Sequence, residues 1–307
     1  YTPPVRPGGG ITVRQGLERW IQTHESPVEL SCRSGCLRFG QSSAHLAEAA
    51  WAAGEADVVL AVLGGTSSRF GGGAFQSNGA LADQEEITMD CGENVDAGLL
   101  RLPGTQLELL RRLKAAGKPV VTVLIGGRPY EMAEADSLSD AILCAFYPGL
   151  TGGEALAKLL FGELSPAGRL PVSLPDHAGQ LPVYYNYKDS YQGMRYCDTG
   201  RPRYMFGSGL TYSRFSWPLI APPQDTPDGQ GASVTFSVRN TGDRSACAVP
   251  QLYLHRTQGA VTSRRRALCA FDKMDLNPGE ERTVTLAIPR ESLCQWDAGM
   301  RQVLPPG

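Results

Sequence analysis

Three short runs constrain this chain more than anything else in it. Residues 58–63 (VVLAVL), 120–125 (VVTVLI) and 141–146 (AILCAF) are six residues each and almost wholly apolar, and each is followed by glycine or Tyr-Pro-Gly. A strand with one wet face alternates polar and apolar residues. These runs do not, so burial on both faces is expected, as in parallel strands covered by helices. Helical patterns lie between them. Residues 44–53 place Leu46, Ala49, Ala50 and Ala53 on one stripe and are expected to stop at Gly54. Residues 105–116 open with Thr105 and Glu108 in capping-box spacing, continue through Leu109, Leu110 and Leu113, and stop at Gly117. Residues 154–160 make a third helix. Strand and helix in alternation predict an α/β fold over 1–175, an open, mostly parallel sheet flanked by helices.

The pattern then changes twice. Residues 176–220 are rich in Pro, Gly and aromatics (Tyr184, Tyr185, Tyr187, Tyr191, Tyr196, Tyr204, Phe206) without clear periodicity. They read as an ordered connector, because so many aromatic rings need something to pack against. From 221 to 307 the period becomes two. Val234, Phe236 and Val238 alternate along 233–239, and 251–255 and 282–288 alternate again, separated by Asn-Thr-Gly and Asn-Pro-Gly turns. Short alternating strands at that spacing predict an all-β sandwich.

Composition narrows the function classes. Of 307 residues 42% are hydrophobic and 20% charged, with a net charge of −2, which fits a globular chain rather than a disordered one. Near-neutrality predicts no broad affinity for nucleic acid or for an anionic membrane, and Arg264 to Arg266 form the only tight basic run. No stretch approaches the ~20 apolar residues that span a bilayer. Residues 1–10 have no apolar core of a signal peptide. Eight cysteines are scattered, with Cys144 inside an apolar run, so buried thiols in a reducing compartment, the cytoplasm, are expected rather than a disulfide framework. Cys32 and Cys36 lack a second Cys or His pair at zinc-finger spacing, so neither metal nor another cofactor is expected.

About forty residues between Gly64 and Thr105 carry no convincing periodicity, far beyond the ~15 at which loops become uncommon and usually functional or disordered. This loop leaves the C-terminal end of an apolar strand, where open α/β sheets place their ligands. It holds Arg69, Asp83, Glu85, Glu86, Asp90, Glu93 and Asp96, so it is either a carboxylate or cation site or a solvated acidic loop. Gly-Gly-Thr-Ser-Ser (64–68) lacks the Lys of a P-loop and the spacing of a dinucleotide fingerprint. None of the four histidines sits beside a Ser or Cys in a nucleophile elbow.

Certain motifs carry a resemblance. Cys91-Gly-Glu-Asn-Val-Asp96 with Leu102-Pro-Gly-Thr-Gln106 resembles the acid/base loop of family 3 glycoside hydrolases, Gly-Glu-x-x-Asp-Arg followed by Leu-Pro-Gly-x-Gln. Ala145-Phe-Tyr-Pro-Gly149, the block 160–172 (LFGELSPAGRLPV) and Tyr204-Met-Phe-Gly-Ser-Gly-Leu-Thr-Tyr212 are similar to later segments of that family. Asn240-Thr-Gly-Asp243, Gln251-Leu-Tyr253, Leu276-Asn-Pro-Gly279 and Trp296-Asp297 resemble its fibronectin type III-like domain.

The resemblance implies a retaining exo-β-glycosidase, β-glucosidase before β-xylosidase, acting on terminal β-linked sugars of a glucoside or oligosaccharide. Two carboxyls about 5–5.5 Å apart perform retention. An Asp on a (β/α)8 barrel attacks the anomeric carbon, and a Glu on the α/β domain is the general acid, then base. Glu93 matches that Glu, with Glu86 and Glu85 as alternatives in a loop of variable length; Ser67, Ser68 and Arg69 match a loop that approaches the sugar. Two departures stand out. Ala97 occupies the position of the motif's Arg, so anchoring must come from elsewhere, with Arg69 or Arg101 as candidates. No eight βα units and no nucleophile motif are present, so the barrel is expected on another chain or segment; the last sandwich strand is missing too, so both termini read as ends of an ordered segment. A non-catalytic sugar-binding or scaffolding module is the competing reading.

Overall fold

The computed structural model describes residues 8–67, 77, 89–92, 95–188, 200–226, 229, 231–257 and 261–304. The chain divides into two compact units, 1–158 with 174–181, and 159–173 with 182–307. The first is α/β and the second is built of antiparallel strands.

In the first unit β1 (Val59–Gly64), β2 (Val120–Ile125) and β3 (Ala141–Phe146) form a parallel sheet in that order. β1 and β2 run in unbroken register from Val59 opposite Val120 to Gly64 opposite Ile125. The expectation of burial on both faces holds for β2, whose Val120, Thr122, Val123 and Leu124 are all buried. Thr122 is tolerated there because its hydroxyl pairs with Ser139 Oγ at 2.7 Å. β3 departs from it, since none of its residues is fully buried, and Val62 on β1 is also exposed. The physical reason is position. β2 is the central strand of this sheet, whereas β1 and β3 are its edges.

The helices show which local signals were decisive. Helix α1 (Val13–Thr23) was not expected from the sequence, yet it carries a complete capping box. Thr12 Oγ1 accepts from the Gln15 amide (3.2 Å), and Gln15 Oε1 accepts from the Thr12 amide (2.9 Å). The readable cue was Thr-x-x-Gln ahead of Leu17, Trp20 and Ile21. Helix α2 (Leu46–Glu55) runs through Gly54 instead of stopping there. Gly54 does not take the left-handed conformation of a C-terminal cap, and the helix ends where Ala56 turns extended (φ −92°, ψ 158°). Helix α3 (Gln106–Ala115) begins and ends as expected, with Gly117 left-handed at φ +75°, but its capping box does not form. Thr105 donates its hydroxyl to Ser42 O instead (3.2 Å), and Glu108 pairs with Arg111 and Arg112. After the short helix α4 (Ala133–Ser137) and β3 comes α5 (Gly152–Leu160). Its start abuts α1 so closely that a Cβ on Gly16 would lie 2.0 Å from Gly153 O.

The second unit follows the period-two reading. β4 (Phe215–Ser216) and β5 (Leu219–Asp225) both pair with β6 (Gly231–Asn240), which pairs antiparallel with β11 (Glu281–Pro289). β7 (Ala246–Ala248) pairs with β10 (Met274–Leu276), and β8 (Gln251–Leu254) with β9 (Ala267–Phe271). Val284, Leu286 and Ile288 of β11 point inward and their neighbours outward. Val284 and Leu286 join Val238, Ala248, Met274 and Leu276 in one core cluster, and Ile288 packs with Ala232 and Val234 in another. Asn240, fully buried, spends its amide on Arg244 O and Leu276 O and its oxygen on Ser213 Oγ and the Gly242 amide, which fixes the Asn-Thr-Gly turn. Of the connector aromatics, Tyr185 stacks on Phe206 at 4.0 Å and meets Tyr253 edge-on, while Tyr191 and Tyr196 lie outside the described residues.

Candidate active site

Gln106, Asp90, Arg128, Tyr130 and Tyr147 come together at the C-terminal ends of β1, β2 and β3. Gln106, at the start of α3 and 2% exposed, seals the exit of β1. Its Oε1 accepts from the Gly64 amide and its Nε2 donates to Gly64 O, both at 2.7 Å, with a further bond to Arg38 O. Gly64 sits at φ +134°, and a Cβ there would lie 1.8 Å from Ile125 O. Only glycine allows β1 to leave the sheet along this path.

Asp90 returns the long loop to that exit. Its amide donates to Thr66 O (3.1 Å), and its carboxylate accepts from the Thr66 amide (2.8 Å) and from Tyr130 Oη (2.6 Å). Gly65 and Gly126 make the space. A Cβ on Gly65 would fall 2.0 Å from Asp90 Oδ1, and one on Gly126 would fall 2.6 Å from Tyr130 Oη. Burial pushes the Tyr130 phenol far up, and the Asp90 carboxylate raises it further. Two donors meet the Asp90 carboxylate, which fixes its orientation under the loop.

Beside it, β3 ends in a bulge against β2, and Phe146 takes φ +48°, a conformation costly for a residue with a side chain. That turn carries Tyr147 over Gly127, where a Cβ would lie 2.6 Å from the ring. Tyr147 Oη lies 3.1 Å from Cys91 Sγ. Burial and then the Cys91 contact raise the Tyr147 phenol, while a hydrogen bond with Ser67 pulls it down.

Of the residues predicted for the site, Glu93, Glu86, Glu85, Ser68 and Arg69 lie outside the described residues. Ser67 lies inside them, against Tyr147 and beside Gly92, where a Cβ would be 3.7 Å from Ser67 Cβ. Arg101, one of the two candidates for anchoring the loop, pairs with Glu131 at 2.8 Å among the described residues; Arg69, the other, lies outside them. Among the described residues, Arg128, which the sequence reading passed over, holds the loop's main chain. Its Nε donates to Asp90 O and its Nη2 to Val95 O, each at 3.0 Å. The available signal was Gly-Gly-Arg-Pro-Tyr (126–130) directly after a buried parallel strand, the ligand-facing end of such a sheet. Among the described residues no three His, Cys, Asp or Glu side chains come together as a metal site would require. No helix among them is long and apolar enough to cross a membrane.

Comparison with known proteins gives this geometry relatives. The family model described as glycosyl hydrolase family 3 C-terminal domain matches residues 3–212, and that of the fibronectin type III-like domain matches 248–307. A periplasmic β-glucosidase of Salmonella typhimurium is 33% identical over 98% of this chain and 37% of its own length. A β-xylosidase of Formosa agariphila is 29% identical over 97% of this chain and 38% of its own length. The crystal structure of a β-glucosidase from Listeria innocua superposes with a TM-score of 0.83 at 29% identity, over 98% of this chain and 40% of that one. The chain thus spans about two fifths of the length of the relatives it matches.

Proposed function

The chain belongs to glycoside hydrolase family 3, and on that premise we propose that it supplies the acid/base half of a retaining exo-β-glycosidase. The substrate class is a terminal β-linked sugar, β-glucoside before β-xyloside, and the Asp nucleophile comes from a (β/α)8 barrel outside this chain. The observation that supports this reading is that Asp90 and Val95 are both tethered at the C-terminal end of the sheet, where such sheets place their ligands. Glu93 lies between those tethers in sequence.

Two steps follow from that arrangement. Glu93, protonated, gives its proton to the glycosidic oxygen while the barrel's Asp attacks the anomeric carbon, so the C–O bond breaks and a glycosyl-enzyme forms. The Glu93 carboxylate then takes a proton from water, whose oxygen displaces the Asp and restores the original configuration. Ser67, Ser68 and Arg69 are proposed sugar contacts on the neighbouring loop.

In the assembled enzyme, Glu93→Ala should cut turnover on poor leaving groups by about 10²–10⁴-fold. Activated aryl glycosides should suffer less, and azide should restore the second step as a β-glycosyl azide. Unchanged turnover would move the role to Glu86 or Glu85. The span of only about two fifths of its relatives also admits the second reading, a sugar-binding or scaffolding module. Sugar binding by this chain without turnover when the barrel is supplied would favour it. The free cysteines, seven among the described residues, support a reducing compartment such as the cytoplasm, whereas the Salmonella relative is named periplasmic. Cell fractionation decides between them.

A further inference from the structure

We propose that Arg128 is a positioning residue for the acid/base, holding the carbonyls of Asp90 and Val95, the residues that flank Glu93 in the sequence. The inference rests on the assignment of Glu93 made above. It starts from the departure at position 97, where Ala97 stands in place of the motif's Arg. Arg101, nearby in sequence, is engaged by Glu131. Arg128 reaches the loop from the other direction, off the end of β2. Two of its N–H groups meet two carbonyls five positions apart in the chain, each at 3.0 Å. A planar guanidinium can span two acceptors in this way, and a lysine ammonium is a single point charge that cannot reproduce the fork.

The mount is rigid at both ends. Arg128 is half-buried, preceded by Gly127 under the Tyr147 ring and followed by Pro129 and the buried Tyr130. Tyr130 grips the Asp90 side chain while Arg128 grips its carbonyl, so one residue of the loop is held from two directions. Displacing a reacting group by about an ångström can cost on the order of 10²-fold in rate, so a clamp on its main chain belongs to the catalytic geometry without touching substrate.

The test has two readouts. Hydrogen exchange on this chain should show peptides covering 89–97 losing protection in Arg128→Ala and Arg128→Lys, with the rest of the first unit unchanged. In the assembled enzyme both variants should lower kcat on poor leaving groups by about 10–100-fold. KM should move little, activated aryl glycosides should be spared, and the acidic and basic limbs of the pH profile should shift. Unaltered exchange at 89–97 would overturn the clamp, and so would equal losses on both leaving-group classes, the mark of a structural defect alone. Glu93→Ala separates the two claims. Full activity there sinks the acid/base assignment whatever Arg128 does, whereas the expected loss there with unaltered exchange in Arg128→Ala sinks the clamp alone.

Discussion

At the scale of single residues, the described part of the site is organised around the Asp90 carboxylate. Asp90 joins the exit of β1 to the far end of the long loop, and Tyr130 supplies its shortest hydrogen bond. Tyr130→Phe would leave that carboxylate short of a donor and should cost about 1–3 kcal/mol at neutral pH. The same residue fixes a pH dependence. Its phenol is held above the unfolded value of about 10 by burial and by Asp90. A raised pKa on a group that is neutral when protonated stabilises the fold fully below pH ~10, and that share is lost as pH rises beyond it. Urea unfolding of wild type and Tyr130→Phe between pH 7 and 11 should therefore converge at the alkaline end. A gap that stays constant with pH would contradict this account.

At the scale of elements, two threonines with similar motifs behave differently because of what lies around them. Thr12 adopts an extended backbone (φ −68°, ψ 161°) that points its oxygen at the first turn of α1, whereas Thr105 (φ −97°, ψ 17°) turns its hydroxyl outward to Ser42 O. Thr12→Ala should cost about 1 kcal/mol. Thr105→Ala should cost clearly less, because no capping bond is lost and the side chain is exposed at its contact with Ser42. Thermal unfolding of the two variants side by side measures the difference, and an equal loss would mean that Thr105 caps α3 in solution. The strands were more legible than the caps. β2 and β3 begin and end where their apolar runs do, and β1 is shifted by one residue. A run of six almost wholly apolar residues has few ways to avoid water, whereas a cap depends on one side-chain torsion.

At the scale of the whole molecule, the first unit holds carboxylates and tethers, and the proposal places the nucleophile elsewhere. The purified 307-residue chain should release no product from aryl β-glucosides, and adding the barrel polypeptide should restore hydrolysis with retention. Intact mass and terminal sequencing of the protein from its source would identify that partner. Retaining turnover by this chain alone would place the nucleophile within it and overturn the division of labour. The uneven burial of the sheet belongs to this scale too. β3 and Val62 show that an apolar run predicts a strand, not how many neighbours will cover it.

The amino-acid sequence by itself determined the class of each unit and the chemistry to look for. Hydrophobic periodicity is a local property, and the proposed acid/base motif is a contiguous string from Cys91 to Asp96. Only the tertiary structure decided what holds that string. Arg128 lies 33 positions from Val95, and Tyr130 lies 40 positions from Asp90. Their meeting depends on β1 and β2 running parallel in one register, so that both loops leave the same end of the sheet. No local pattern encodes that meeting, because closing a loop of that length is driven by the burial of the strands and not by the residues it brings together.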